Sequence, residues 1–232
     1  MVTKVLTGLK ALRGFVMLVR DPRQIDGVFT ITDALRTPEA VQPMVDWFRR
    51  DAVGARSLDE RPRLDLDLDR LGRLPEGTLG RAYVDHMRGN GFDPKGFPNH
   101  PSGDPIEFVT AHLYDTHDIW HVVGGFGTDV AGELGLQAFY LAQFPAKLGV
   151  TLLAAGMLNT LGPQGFEDRD RRMREVVRGW LLGRTSRPLF GVRWDDLWDV
   201  PVAEVRARFG IDPDAVEARL EGIPAQSFAA AA

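Results

Sequence analysis

The chain has no cysteine. That excludes disulfides, thiolate metal sites, iron–sulfur ligation and a cysteine nucleophile, so any metal must be held through nitrogen and oxygen. It also lacks a run of 18 apolar residues, and no transmembrane helix is expected. A basic surplus is missing: 28 lysines and arginines stand against 32 acids, a formal charge of −4, which argues against a general nucleic-acid binder. Absent too are the phosphate-binding Gly-x-x-x-x-Gly-Lys-Ser/Thr loop, Gly-x-Gly-x-x-Gly, the Gly-x-Ser-x-Gly elbow and the paired Glu-x-x-His of di-iron bundles. What remains is 232 residues, 44% hydrophobic and 26% charged, the range of a soluble chain forming one large domain over 1–232.

Helical signals run along most of it. Asp21-Pro22 closes a first helix, because the residue before proline disfavours helical dihedrals. Val28–Leu35 has helical spacing, and Thr37-Pro38 opens a third helix running to about Ala52 with Val41, Met44, Val45 and Phe48 on one face. Residues 58–74 read as extended loop, since the Leu-Asp alternation at 64–69 finds no second strand to pair with. Leu74-Pro-Glu-Gly-Thr-Leu-Gly80 leads into a helix bearing Leu79, Tyr83 and Met87, and 89–103 is a Gly/Pro/Asn-rich loop. Asp104-Pro105 starts a helix to Val123, broken at Gly124-Gly125-Phe-Gly127. Thr128 caps the next, Asp129 to about Gln143. Residues 146–161 form the most apolar helix, expected to be buried. Arg171–Leu182 is amphipathic, Val202–Phe209 is closed by Gly210, and 213–232 reads as a frayed tail. The expectation is an all-α bundle of about eight or nine helices.

Charge is uneven. Residues 1–20 carry Lys4, Lys10, Arg13 and Arg20 and no acid, with Val2, Val5, Leu6, Leu9, Leu12, Val16 and Val19 at helical spacing. This reads as a packed first helix, a membrane-surface helix, or both. A cleavable transit peptide fits less well, since the segment runs straight into Asp21-Pro22. Residues 166–187 hold seven arginines against four acids, a solvated ion-paired face or a contact for an anionic partner.

The segment richest in chemistry is His117-Asp118-Ile-Trp-His121, followed by Glu133. Two histidines four apart stack on one helical face, with Asp118 on the same side. Glu133 follows a glycine turn, and a tight antiparallel return would carry its carboxylate back over the rings. Two imidazoles with carboxylates suit Zn²⁺, Fe²⁺ or Mn²⁺. Five scattered histidines give only about 0.1 His-x-x-x-His pairs by chance. The plainer reading is a surface helix with solvated acids, which the apolar Ile119, Trp120, Val122 and Val123 oppose. His86, His100 and His112 read as packing histidines. Tyr114, Trp120, Phe126, Phe139 and Tyr140 gather nearby in sequence, as core or as the lining of an apolar pocket. A zinc hydrolase with Asp118 in the place of the His-Glu-x-x-His glutamate is a further reading, handicapped by the shorter side chain.

His117-Asp-x-x-His121, then eleven residues and Glu133, resembles the signature of the coenzyme Q (ubiquinone) biosynthesis protein 4 family. Arg61-Pro-Arg, Leu74-Pro-Glu-Gly-Thr-Leu-Gly80 with Tyr83, and Arg193-Trp-Asp-Asp-Leu-Trp198-Asp resemble that family's other blocks, from about residue 5 to 212. The resemblance implies an all-helical fold, a divalent metal, Zn²⁺ before Fe²⁺ or Mn²⁺, on His117, Asp118, His121 and Glu133, and an apolar tunnel for a polyprenyl chain. It implies peripheral attachment to a membrane surface, and the weak transit signal of residues 1–20 favours the bacterial cytoplasmic side over the mitochondrial matrix. It also implies oxidative decarboxylation and hydroxylation at ring C1 of a polyprenylated hydroxybenzoate, or a lipid-binding scaffold for other quinone-biosynthesis enzymes. A homodimer is left open, and no nucleic acid is expected as a partner.

Overall fold

The computed structural model describes residues 2–22, 24–94 and 101–222, with side chains from residue 6 onward except at 25, 163 and 164. His100, the tail from 223, and the side chains of Val2, Lys4 and Val5 lie outside the described residues. The fold is all-α, and the described residues contain no strand. They form thirteen α-helices: α1 Val2–Arg20, α2 Ile25–Leu35, α3 Pro38–Phe48, α4 Ala52–Glu60, α5 Leu68–Leu71, α6 Leu79–Gly89, α7 Pro105–Gly124, α8 Val130–Gln143, α9 Lys147–Asn159, α10 Pro163–Glu167, α11 Arg169–Thr185, α12 Val202–Phe209 and α13 Pro213–Glu221. A 3-10 turn spans Trp194–Leu197.

The count exceeds eight or nine because short capped helices sit where periodicity is weak. Within 58–74, expected to be extended, Asp67 accepts from the backbone N–H groups of Asp69 and Arg70 and opens α5. The third helix stops at Phe48. Asp51 then caps α4 through the N–H groups of Val53 and Gly54. The first part of the expected frayed tail is α13, opened by the Asp212 carboxylate accepting from Ala215 N–H. Asp129, one residue past the expected Thr128, caps α8 by accepting from Gly132 N–H. Each side chain satisfies donors that a helix start leaves orphaned.

The main core runs from α3 to α13 and includes Phe48, Leu58, Tyr83, Phe108, Trp120, Phe139, Phe190 and Trp194. A smaller cluster joins α1, α2 and α9 through Leu18, Ile31 and Ala155. The apolar helix at 146–161 is not buried as expected. Only Gly149, Ala155 and Gly156 of α9 are buried, and Val150 and Leu158 are exposed. Apolarity there is spent on α1, α2 and α8 and on a free face. The helices α8 and α11 approach so closely that a Cβ on Gly179 would lie 1.8 Å from the Gly135 carbonyl oxygen. This contact seats α8, and Glu133 with it, against the body of the protein.

Two of the sequence blocks meet at the start of α6. Leu79 N–H donates to the Val200 carbonyl and Gly80 N–H to that of Trp198, each at 2.8 Å, and the Tyr83 ring packs 5.6 Å from Trp198. These bonds satisfy the first donors of α6 and fix the direction in which it carries His86.

Candidate metal centre

The helix α7 is closed by a left-handed Gly125, φ +66°, with Phe126 N–H donating to the His121 carbonyl. Its last carbonyls are held by two arginines. Arg178 donates to Gly124 and Gly125, and Arg206 to Val122 and Val123. Cations at a helix C-terminus oppose its negative dipole end. The chain then turns back, and Glu133 in the first turn of α8 faces the two histidines.

Of the four residues singled out by sequence, His117, Asp118 and His121 form one group of possible ligands, and Glu133 reaches the two histidines. His117 Nε2 and His121 Nε2 lie 3.2 Å apart. Glu133 Oε1 is 3.1 Å from His121 Nε2, and Oε2 is 3.8 Å from His117 Nε2. One ligand atom from each of His117, Asp118 and His121 falls within 4.8 Å of the others. His121 is buried and Asp118 nearly so, while the side chains of His117 and Glu133 are 34% and 40% exposed, so the cluster is closed beneath and open on one side.

The outer Nδ1 atoms have partners outside the cluster, and the inner Nε2 atoms face Glu133 and one another. His121 Nδ1 sits 3.3 Å from the Phe126 carbonyl, which can only accept, so in the neutral ring Nδ1 carries the proton and Nε2 keeps its lone pair. His117 Nδ1 meets the Tyr140 hydroxyl at 3.3 Å. Burial and the neighbouring His121 ring push the His117 pKa down, which keeps it neutral. Burial opposes charge on His121, but the Glu133 hydrogen bond and charge outweigh it and raise its pKa. Burial likewise opposes ionised Asp118 and Glu133. Pairing with His86 for Asp118, and with His121 for Glu133, still holds both below the usual carboxylate range. Burial, with the charges of Asp118 and Glu133, lifts the Tyr140 pKa, so that hydroxyl stays neutral.

This donor set suits a divalent cation. Bonds of about 2.0–2.1 Å place two nitrogens on a tetrahedral ion roughly 3.3 Å apart, close to the separations of His121 Nε2 from His117 Nε2 and from Glu133 Oε1. Two ionised carboxylates outnumber the one ring, His121, that is drawn toward its charged form, and leave negative charge for a cation to balance. The histidines carry outer partners of the kind that orient metal-binding imidazoles.

His86 was read from sequence as a packing histidine, and here the structure differs. Its Nε2 lies 3.2 Å from Asp118 Oδ1 and its ring stacks on His121 at 5.4 Å. No local pattern announces this, since Asp118 is 32 residues away on another helix. His112 is a packing histidine, accepting from Gly191 N–H between Phe108 and Phe190. Of the nearby aromatics, Tyr140 touches the centre and Trp120 stacks on it at 4.7 Å, while Tyr114 lies against Phe29 instead. The arginines of 166–187 are mostly spent internally: Arg171 pairs with Asp129 and Asp168, Arg172 with Asp168, and Arg174 with Glu217.

An all-α protein with a two-histidine, two-carboxylate cluster open on one side is the class so defined. The family described as coenzyme Q (ubiquinone) biosynthesis protein Coq4 matches residues 3–214, and the chain belongs to that family of ubiquinone-biosynthesis proteins. It is 33% identical to the mitochondrial ubiquinone biosynthesis protein COQ4 of Laccaria bicolor over 207 residues, 85% of this chain and 67% of that one. To the mitochondrial COQ4 of Yarrowia lipolytica it is 29% identical over 200 residues, 83% and 74% of the two chains. A crystal structure of a Nostoc punctiforme protein described as a ubiquinone biosynthesis protein aligns with a TM-score of 0.76 at 34% identity, covering 88% of this chain and 98% of that one. The curated relatives are named mitochondrial, which lends the expected bacterial placement no support. No helix among the described residues is long and apolar enough to cross a membrane.

Proposed function

We propose that the protein acts in ubiquinone biosynthesis as a metal-dependent enzyme on a polyprenylated hydroxybenzoate, exchanging the ring C1 carboxylate for a hydroxyl. The observation that carries this is the 3.2 Å approach of two imidazole nitrogens beside Glu133, on the side of the cluster that is open. His117, Asp118, His121 and Glu133 would hold one divalent ion, Zn²⁺ by donor type, with Fe²⁺ or Mn²⁺ as the alternatives. Such an ion supplies Lewis acidity toward a carboxylate or phenolate. The exchange is a two-electron oxidation of the ring carbon with loss of carbon dioxide; with dioxygen as the oxidant and water as a second reactant, the carboxylic acid gives the phenol, carbon dioxide and hydrogen peroxide. The half-exposed His117 and Glu133 would meet the ring. Tyr140 orients His117, the Phe126 carbonyl orients His121, and His86 keeps Asp118 ionised and turned. That last pairing occupies one Asp118 oxygen and disfavours the hydrolase reading, in which Asp118 is the base.

The prenyl chain and the membrane belong to the other side of the proposal. Leu6, Leu9, Leu12 and Val16 of α1 are exposed, interleaved with Lys10 and Arg13, as in helices that lie at a lipid surface. With the free face of α9 they would receive an apolar tail and hold the protein beside other quinone-biosynthesis enzymes. A scaffold would use this surface alone and need the cluster only to pin α7 to α8.

His117→Ala separates the two. In cells lacking the native gene, an enzyme carrying this substitution keeps its abundance and its lipid and protein contacts but loses ubiquinone output. Output unchanged from wild type with His117→Ala would leave the scaffold as the correct reading.

A further inference from the structure

The last turn of α6 meets the candidate centre from the side, through a residue outside the four ligands. The side chains of His86 and Asp118 are each 12% exposed. A carboxylate can only accept, so His86 Nε2 carries a proton and donates to Asp118 Oδ1 at 3.2 Å. The other oxygen, Oδ2, forms no hydrogen bond among the described residues, although Asp118 is buried. A buried carboxylate oxygen without a donor suits a cation. The His86 ring is itself fixed. It lies over the His121 ring, centroids 5.4 Å apart and 26° from parallel, and Phe92 packs against it at 6.2 Å. Asn90 Nδ2 donates to the His86 carbonyl at 2.8 Å, and Asn90 Oδ1 accepts from the Thr128 hydroxyl at 2.8 Å. Thr128 precedes the Asp129 cap of α8, so the end of α6 is tied both to α7 and to the turn that returns Glu133. A ring held at this many points sets the direction of its N–H, and with it the rotation of the Asp118 carboxylate. A histidine that only filled space would have no use for that donor.

We propose that His86 is a positioning residue of the centre: by holding Oδ1 it turns the carboxylate so that Asp118 meets a divalent ion through Oδ2 alone. This rests on the reading of the cluster as a metal site. His86 touches neither ion nor substrate in this arrangement and acts through Asp118. A carboxylate free to rotate must be ordered when the ion binds, and it can offer either oxygen or both. Partners of this kind are worth about 10–100-fold in metal affinity. The tie of Asn90 to Thr128 keeps the His86 ring in register with the helix pair that carries the ligands.

Metal titration of the full chain, stripped with chelator, tests it. Zn²⁺ affinity is read by competition with a chromophoric chelator, and Co²⁺ is added separately because its visible bands report ligand number and geometry. His86→Phe keeps a ring between His121 and Phe92 and removes the donor. It should bind Zn²⁺ ~10–100-fold more weakly than wild type and shift the Co²⁺ bands. His86→Gln returns an N–H near the Nε2 position and should recover to within ~3-fold of wild type, with the wild-type Co²⁺ spectrum. In an Asp118→Ala background, His86→Phe should change Zn²⁺ affinity less than ~3-fold, since the group it acts through is gone. Circular dichroism and melting temperature check folding, and His86→Ala is the second donor-free variant for the same comparison. Wild-type affinity and spectrum in the donor-free variants, a His86→Gln chain no tighter than His86→Phe, or the full loss repeated without Asp118 overturns the role. Wild-type protein that binds no Zn²⁺ overturns it together with the metal site, whereas wild-type protein that binds Zn²⁺ and is indifferent to His86 overturns this inference alone.

Discussion

His112 and His121 share a helix and differ in almost every consequence. His112 is fully enclosed, and burial, with a smaller push from Arg63, draws its pKa down to about 3 from an ordinary 6.5. Its Nε2 accepts from Gly191 N–H at 3.2 Å, so it is folded as a neutral ring. Between pH 6.5 and 3 the unfolded chain binds a proton at this position that the folded chain refuses. The stability His112 contributes is therefore fully present above pH 6.5 and is lost as pH falls toward 3, on the order of 4 kcal/mol in all. The substitution His112→Gln keeps an acceptor and removes the titration. Urea unfolding should show the variant losing less stability than wild type between pH 6.5 and 4; parallel losses would contradict the burial argument. By contrast, His121, equally buried, has a carboxylate against Nε2 and a carbonyl against Nδ1, so one helix carries both a packing ring and a ring of the candidate centre.

At the scale of helices, the distance between α8 and α11 is set by glycine. A methyl group at Gly179 would overlap the Gly135 carbonyl, which is backbone and cannot swing aside. Gly179→Ala should lower unfolding stability by about 2–4 kcal/mol. Gly8→Ala, in α1 with nothing within 4 Å of the added carbon, should be neutral or raise it by about 0.5–1 kcal/mol. Equal effects would mean the helices yield freely. Which helices could be read from sequence follows from how local their signals are. The Asp104-Pro105 start of α7 and its Gly125 stop are written in adjacent residues, and so are the convergence of His117 with His121 and, one turn later, Glu133. The same Asp-Pro signature stands at Asp212-Pro213 and marks α13, though the tail there reads as frayed. The acids of 64–69 read as a strand alternation, but Asp67 acts as a cap, which depends on where the chain turns. The burial of α9 was not legible, because apolar residues do not say which neighbour arrives. His86 was not legible for a similar reason: the start of α6 is held by the carbonyls of Trp198 and Val200, more than a hundred residues away.

For the molecule as a whole, the proposed function rests on the exposed face of α1 and one candidate centre. The N-terminal helix is split. Leu18 packs against α2 and α9, whereas Leu6, Leu9 and Leu12 are each more than half exposed. Leu9→Glu/Leu12→Glu should sharply reduce co-sedimentation with anionic vesicles while leaving the melting temperature unchanged, since neither side chain is part of the packed cluster. Retention equal to wild type would remove α1 from the membrane contact. The centre is tested most directly by metal content. Protein purified without chelator should carry about one divalent ion per chain by elemental mass spectrometry, and folded His117→Ala and His121→Ala chains should carry little. Wild-type protein free of divalent metal after incubation with Zn²⁺, Fe²⁺ and Mn²⁺, or variants that retain a full equivalent, would contradict the convergence of His117, Asp118, His121 and Glu133 on one cation.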